Sequence, residues 1–217
     1  MKQKLVFFFF LLVSGFWFPA SPAFAKDYSF PKVSFEVWLK PNGSAVVEEE
    51  RTYKLDGSFS FAFLYINKSQ RLDVSGQMFN IEDVKVRDEG RWYEQSESES
   101  AGSYFVRDEG SRYYVKWFYD AADTTKTFTI SYTINNAVLA HKDIAEFYWK
   151  LVGDEWDKGI GFVEAKIYLP EGGFENSSGG ENGTENIHGF GHGTLNGKVD
   201  ILSKSQVNFS AQNLPSK

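Results

Sequence analysis

The side chains best placed to do chemistry lie between Trp149 and Asp157. Two tryptophans, Trp149 and Trp156, bracket the carboxylates Asp154, Glu155 and Asp157. Paired carboxylates supply the acid and base of glycoside hydrolysis, and aromatic rings offer sugars an apolar face. Several oxygens on one loop could equally hold calcium. A plainer reading is a polar turn anchored to the core by its two tryptophans. Trp149, Asp154, Trp156 and Asp157 are therefore candidate binding residues, and no residue is assigned a catalytic role.

A second candidate set is histidine. The sequence has His141, His188 and His192, the last two four residues apart. On a helix that spacing turns both imidazoles to one side, as in zinc sites. Gly189 and Gly191 argue against a helix, so His188 and His192 are only a weak metal alternative, and no cofactor is expected. No G-x-S-x-G elbow, phosphate-binding loop or dinucleotide glycine pattern occurs. Cysteine is absent, which excludes disulfides, thiol nucleophiles and cysteine metal sites.

The elements that must position these residues are strands. Val33, Phe35, Val37 and Leu39 alternate with polar neighbours, the mark of a half-buried strand. Asn42-Gly43 is a turn, and Ala45 to Tyr53 the return strand, with Glu48, Glu49 and Glu50 as solvated carboxylates. Phe59, Phe61, Phe63 and Tyr65 share a side opposite Ala62, Leu64 and Ile66. Their density suggests core on both sides, with a sugar-stacking row as the alternative. Val86-Arg-Asp-Glu-Gly90 and Val106-Arg-Asp-Glu-Gly110 repeat one hairpin turn. The Ser/Glu-rich stretch between them, Glu94 to Gly102, is expected to be a mobile loop. Arg112–Tyr119 and Lys126–Ile134 are the expected next pair. A helical turn capped by Asp143 is expected to lead into a strand. Val163, Ala165, Ile167 and Leu169 alternate up to Pro170, a glycine-rich loop occupies 171–197, and two short strands close the chain. The sum is an all-β, antiparallel sandwich of about nine to eleven strands with little helix.

The first 25 residues stand apart. Lys2 and Lys4 precede an apolar run from Leu5 to Phe18, and Ala23-Phe24-Ala25 ends it. This is the pattern of a secretory signal peptide cleaved after Ala25, the alternative being an uncleaved anchor. Residues 26–217 then form a single extracytoplasmic domain. Removing residues 1–25 leaves 21 Lys and Arg against 29 Asp and Glu, a formal charge of −8. An acidic chain without a basic stripe argues against nucleic acid and against anionic lipid as partners.

Phe147-Tyr148-Trp149-Lys150-Leu-Val-Gly153-Asp154-Glu155-Trp156, with the strand ending at Leu169-Pro170, resembles the extracytoplasmic N-terminal domain of the YciQ-like predicted bacterial membrane proteins, domain of unknown function 2207. Asn42-Gly43-Ser44 with Glu48-Glu49, Thr127 to Tyr132, His192-Gly193 to Gly197 and Asn213-Leu214-Pro215 are similar to other parts of that family in the same order. The resemblance spans nearly all of residues 27–215. It implies a sandwich-like domain outside the cytoplasmic membrane and no catalytic residues. Relatives usually continue into transmembrane helices, whereas this sequence ends at Lys217. The resemblance therefore leaves open a soluble form, a truncated frame, or membrane association through an uncleaved N-terminal segment or missing C-terminal helices. The expected function is a non-enzymatic binding or structural module of the cell envelope, with an envelope protein or glycan as partner. The alternative is a glycan-active enzyme or carbohydrate-binding module using the Trp149–Asp157 segment.

Overall fold

The computed structural model describes residues 26–68, 79–153, 156–171, 186–192 and 197–216. The expected signal segment, most of the glycine-rich stretch 171–197, and Asp154 and Glu155 lie outside the described residues.

Strands dominate. β1 (Asp27–Leu39) turns into β2 (Ala45–Asp56). The turn is set by Asn42, whose side-chain oxygen accepts from the Ser44 amide at 3.1 Å, and by Gly43 at φ 81°. β3 (Ser58–Asn67), β4 (Asn80–Asp88), β5 (Arg91–Trp92), β6 (Glu94–Gln95) and β7 (Ser103–Asp108) follow. Then come β8 (Arg112–Ala122), β9 (Thr125–Asn135), β10 (Val138–Ala140) and β11 (Ala145–Phe147). β12 (Ile160–Tyr168), β13 (Lys198–Ser203) and β14 (Gln206–Leu214) complete the chain. The two repeated turns are hairpins, with Gly90 and Gly110 at φ 80° and 82°.

Eight strands form one sheet in the order β13-β14-β12-β1-β2-β9-β4-β5, and four form a second, β3-β8-β7-β6. Aromatic rings join the two sheets across their inner sides. Phe128 on β9 lies 5.6 Å from Trp117 and 4.7 Å from Tyr119 on β8, centroid to centroid. Val33, Val37, Val47, Val86, Val115 and Ile130 are fully enclosed in the same core. The all-β sandwich is therefore the fold, with fourteen strands among the described residues where nine to eleven were expected, and four further details differ from what the sequence suggested.

The sheets are mixed rather than purely antiparallel. β1 pairs with β12 in parallel from Phe30↔Ile160 to Trp38↔Tyr168, and β6 pairs with β7 in parallel. Parallel neighbours need a long crossover, and alternation within a strand carries no sign of its partner's direction. β8 and β9 are not paired: β8 lies between β3 and β7, β9 between β2 and β4. The turn between them carries the chain from one sheet to the other. No helical turn forms at Asp143. Val138 to Ala140 and Ala145 to Phe147 make a small hairpin, closed where the His141 amide donates to the Ile144 carbonyl at 2.8 Å. Three-residue strands are too short for their periodicity to be read. Finally, the Glu94–Gly102 stretch is tied at its start: the Glu94 amide donates to the Gly102 carbonyl at 2.9 Å.

Candidate functional site

Alternation along β2 sends Ala45, Val47, Glu49, Arg51 and Tyr53 inward. Of the three consecutive glutamates, Glu49 is thus buried, at 4% exposure, and not solvated. A lone buried carboxylate is costly, so it needs a cation. Arg51, two residues on and on the same side, donates through Nε to Glu49 Oε1 at 2.5 Å. Its guanidinium also lies 4.2 Å from the Trp156 ring.

The tryptophan segment closes over this pair. Trp156 is 6% exposed and packs edge-on against Phe30 at 4.7 Å. Trp149 lies 5.6 Å from Phe79 and 6.4 Å from Tyr132, ring centroid to centroid. Both indoles serve the core, as the plain reading of the segment expects. Between this segment and β3 remains a cavity of about 60 Å³, floored by Glu49 and Arg51. It admits a few waters but falls far below the roughly 300 Å³ at which small-molecule sites begin. Asp157 lies at the surface and accepts the Tyr28 hydroxyl at 2.6 Å. The structure thus places Trp149, Trp156 and Arg51 on the wall of one cavity, while Asp157 lies at the surface bonded to Tyr28. His188 is exposed beside Phe190, ring centroids 6.4 Å apart. No group of three metal-binding side chains occurs among the described residues.

Burial raises the pKa of the inner tyrosines. It pushes Tyr53 up to about 12 and lifts Tyr28, Tyr93, Tyr119 and Tyr132 as well. Each folded value lies above the ordinary tyrosine value of about 10. Their contribution to stability is therefore intact below pH ~10 and is lost as pH rises through the folded values. Alkaline unfolding should set in above pH ~10, with tyrosinate absorbance and loss of strand circular dichroism appearing together. Full tyrosinate formation in a still-folded chain would contradict the burial.

A second surface carries exposed chemistry that the sequence assigned to the core. β3 turns Ala62, Leu64 and Ile66 inward and Phe61, Phe63 and Tyr65 outward; Phe61 and Phe63 are each 46% exposed. β8 decides the matter. Its Val115 and Trp117 are buried in register with Leu64 and Ala62, so Lys116 and Tyr114 come out opposite Phe63 and Tyr65. β7 adds Phe105 and Arg107. The result is an aromatic face with cations laid over it. Arg112 sits 3.7 Å above the Tyr65 ring, Lys116 4.4 Å above Phe61, and Arg107 5.2 Å from Phe105. The signal in the sequence was the polar half of β8, Arg112, Tyr114 and Lys116, not β3 itself.

No curated protein matches the chain. Solved structures that resemble this chain do so at low identity and low TM-score. A candidate protease from Parabacteroides distasonis shares 12% identity over 88% of this chain, with TM-score 0.38. A candidate nutrient-binding protein from Legionella pneumophila shares 11% over 86%, with TM-score 0.44. Yeast LTA4 hydrolase in complex with bestatin shares 9% over 86%, with TM-score 0.42. The matches cover 36%, 63% and 29% of those chains respectively. Among the described residues, no helix is long and apolar enough to cross a membrane. Residues 29–217 match the model of the N-terminal domain of a predicted membrane protein family, DUF2207, and the chain belongs to that family.

Proposed function

We propose that this chain is a non-enzymatic binding module of the bacterial cell envelope, working outside the cytoplasmic membrane. The observation that carries the reading is the outward aromatic face of β3 and β8. Folding normally hides phenylalanine, and two half-exposed phenylalanines side by side with tyrosines and cations suit a recognition surface. The export pattern of residues 1–25 and the membrane-protein family support the location. The glycan-active alternative at Trp149–Asp157 has less behind it, since Arg51 covers Trp156 and Tyr28 holds Asp157.

Two measurements test this. Protease added to spheroplasts should degrade the folded domain while the cytoplasmic membrane stays intact; complete protection would place it inside. The purified chain should co-sediment with a cell-envelope fraction, and Phe61→Ala/Phe63→Ala should lower the bound share about tenfold or more at unchanged unfolding temperature. Equal sedimentation of variant and parent would overturn the assignment of this face.

A further inference from the structure

We infer that the open edge of β3 pairs with β3 of a second copy of this chain, antiparallel about a two-fold axis at Phe63. The inference stands apart from the envelope-binding reading, which a monomer would also satisfy.

The two larger sheets end on four edges, and three of these are blunted. β5 and β6 are two residues long, too short to template a partner. β13 carries Lys198 and Asp200, bonded to each other at 2.7 Å. β3 has neither protection: Ser58–Asn67 runs for 10 residues with no charged side chain and no proline. The unpaired amides and carbonyls of such an edge are a template for another strand.

Register shows which groups are unpaired. The Lys68 amide donates to the Ser111 carbonyl at 2.9 Å, and the same alignment continues through Ile66↔Tyr113 and Leu64↔Val115. In an antiparallel ladder, opposed residues alternate between bonded and unbonded pairs. Leu64 and Ile66 therefore bond β8, while Phe61, Phe63 and Tyr65 turn both N–H and C=O to the open edge. The bulge of this pairing lies between Phe59 and Phe61, before that stretch. Among the described residues, no main-chain bond from these three reaches another element. The Trp149–Trp156 segment faces Phe63 and Tyr65 across the cavity and takes none of these bonds.

Donors and acceptors that repeat at every second residue fit an extended peptide, a pattern no lipid or sugar repeats. A second copy supplies it with self-complementary ends. With the axis at Phe63, the two copies of Phe63 oppose each other and Phe61 opposes the second copy's Tyr65. All of these turn their bonding groups outward, so about six main-chain hydrogen bonds close the seam. On the wet side, aromatic rings then meet aromatic rings across the strands, a pairing that stabilises sheets. That gives Phe61 and Phe63, each 46% exposed in the single chain, a partner surface. The chain is acidic overall, yet β3 carries no charge to repel its copy. Two four-stranded sheets become one of eight through a closed, two-fold contact.

The test uses the purified chain. Sedimentation equilibrium should show a monomer–dimer equilibrium. Phe63→Lys sets like charges together on the axis and should weaken the dimer about tenfold or more, with strand circular dichroism unchanged. An equal mixture of Phe63→Lys and Phe63→Glu should restore it. The sequence has no cysteine, so single cysteines read the register. Phe63→Cys places opposed Cα atoms about 5.5 Å apart, within disulfide reach, whereas Phe61→Cys leaves them roughly 14 Å apart. Mild oxidation should crosslink the first variant and spare the second. A parent that stays monomeric at every concentration, an undiminished dimer in Phe63→Lys, no restoration in the mixture, or crosslinking of Phe61→Cys as strong as that of Phe63→Cys would each overturn the inference.

Discussion

Replacing Arg51 with methionine is expected to destabilise the fold by about 3–5 kcal/mol, a loss of roughly 6–20 °C in Tm. The cost does not measure the attraction between Arg51 and Glu49. It comes from leaving a carboxylate that is 4% exposed without the cation now 2.5 Å away. Trp156 also loses the guanidinium stacked 4.2 Å from its ring, so the covering segment loosens with it. The double variant Glu49→Leu/Arg51→Met should recover most of the loss, because an apolar pair of similar volume avoids desolvating two charges. Urea unfolding followed by tryptophan fluorescence measures both. A single-variant loss under ~1 kcal/mol would mean that water reaches Glu49. A double variant as weak as the single would mean that the pair does more than neutralise itself.

Phe128→Ala is expected to cost a comparable amount, about 3–5 kcal/mol. Phe128 is wholly buried on β9 and contacts Tyr53 of its own sheet and Trp117 and Tyr119 of the other. Truncation opens a void where these rings and Tyr93 meet. Phe63→Ala gives the contrast. That side chain is nearly half exposed and should cost under ~1 kcal/mol by the same urea measurement. Near-equal losses at the two sites would show that Phe63 is core after all, and would remove the aromatic face from the surface.

Much of the fold was legible because half-buried strands write their own orientation. Val33 to Leu39, Phe128 to Ile134 and Val163 to Ile167 each turn inward as their alternation requires. β3 was ambiguous because both of its sides are apolar. Only register with β8, a pairing between segments some fifty residues apart, decides which side is wet. The glutamate triplet misled for a related reason. Charge favours solvent on average, but a carboxylate two residues from an arginine on the same strand side can enter the core with it. Strand direction left no trace in composition, so neither the parallel β1–β12 seam nor the sheet change between β8 and β9 could be read. The tryptophan segment was recognised as the specific part of the sequence. Its partners, Glu49 and Arg51, are about a hundred residues upstream, and nothing local points to them.

The parallel seam has a consequence for how the domain would be tethered. Phe30 at the start of β1 is in register with Ile160, and Ile160 with Leu214 at the end of β14. The first and last strands therefore begin and finish on one rim, separated by a single strand, or roughly 10 Å at the usual spacing. A leash on either end would pull that same rim toward whatever holds it, and leashes on both would not compete. Phe59, at the near end of the aromatic face, lies 6.0 Å from Tyr28 on that rim. The row from Phe59 to Tyr65 thus starts beside that rim and runs along β3 away from it.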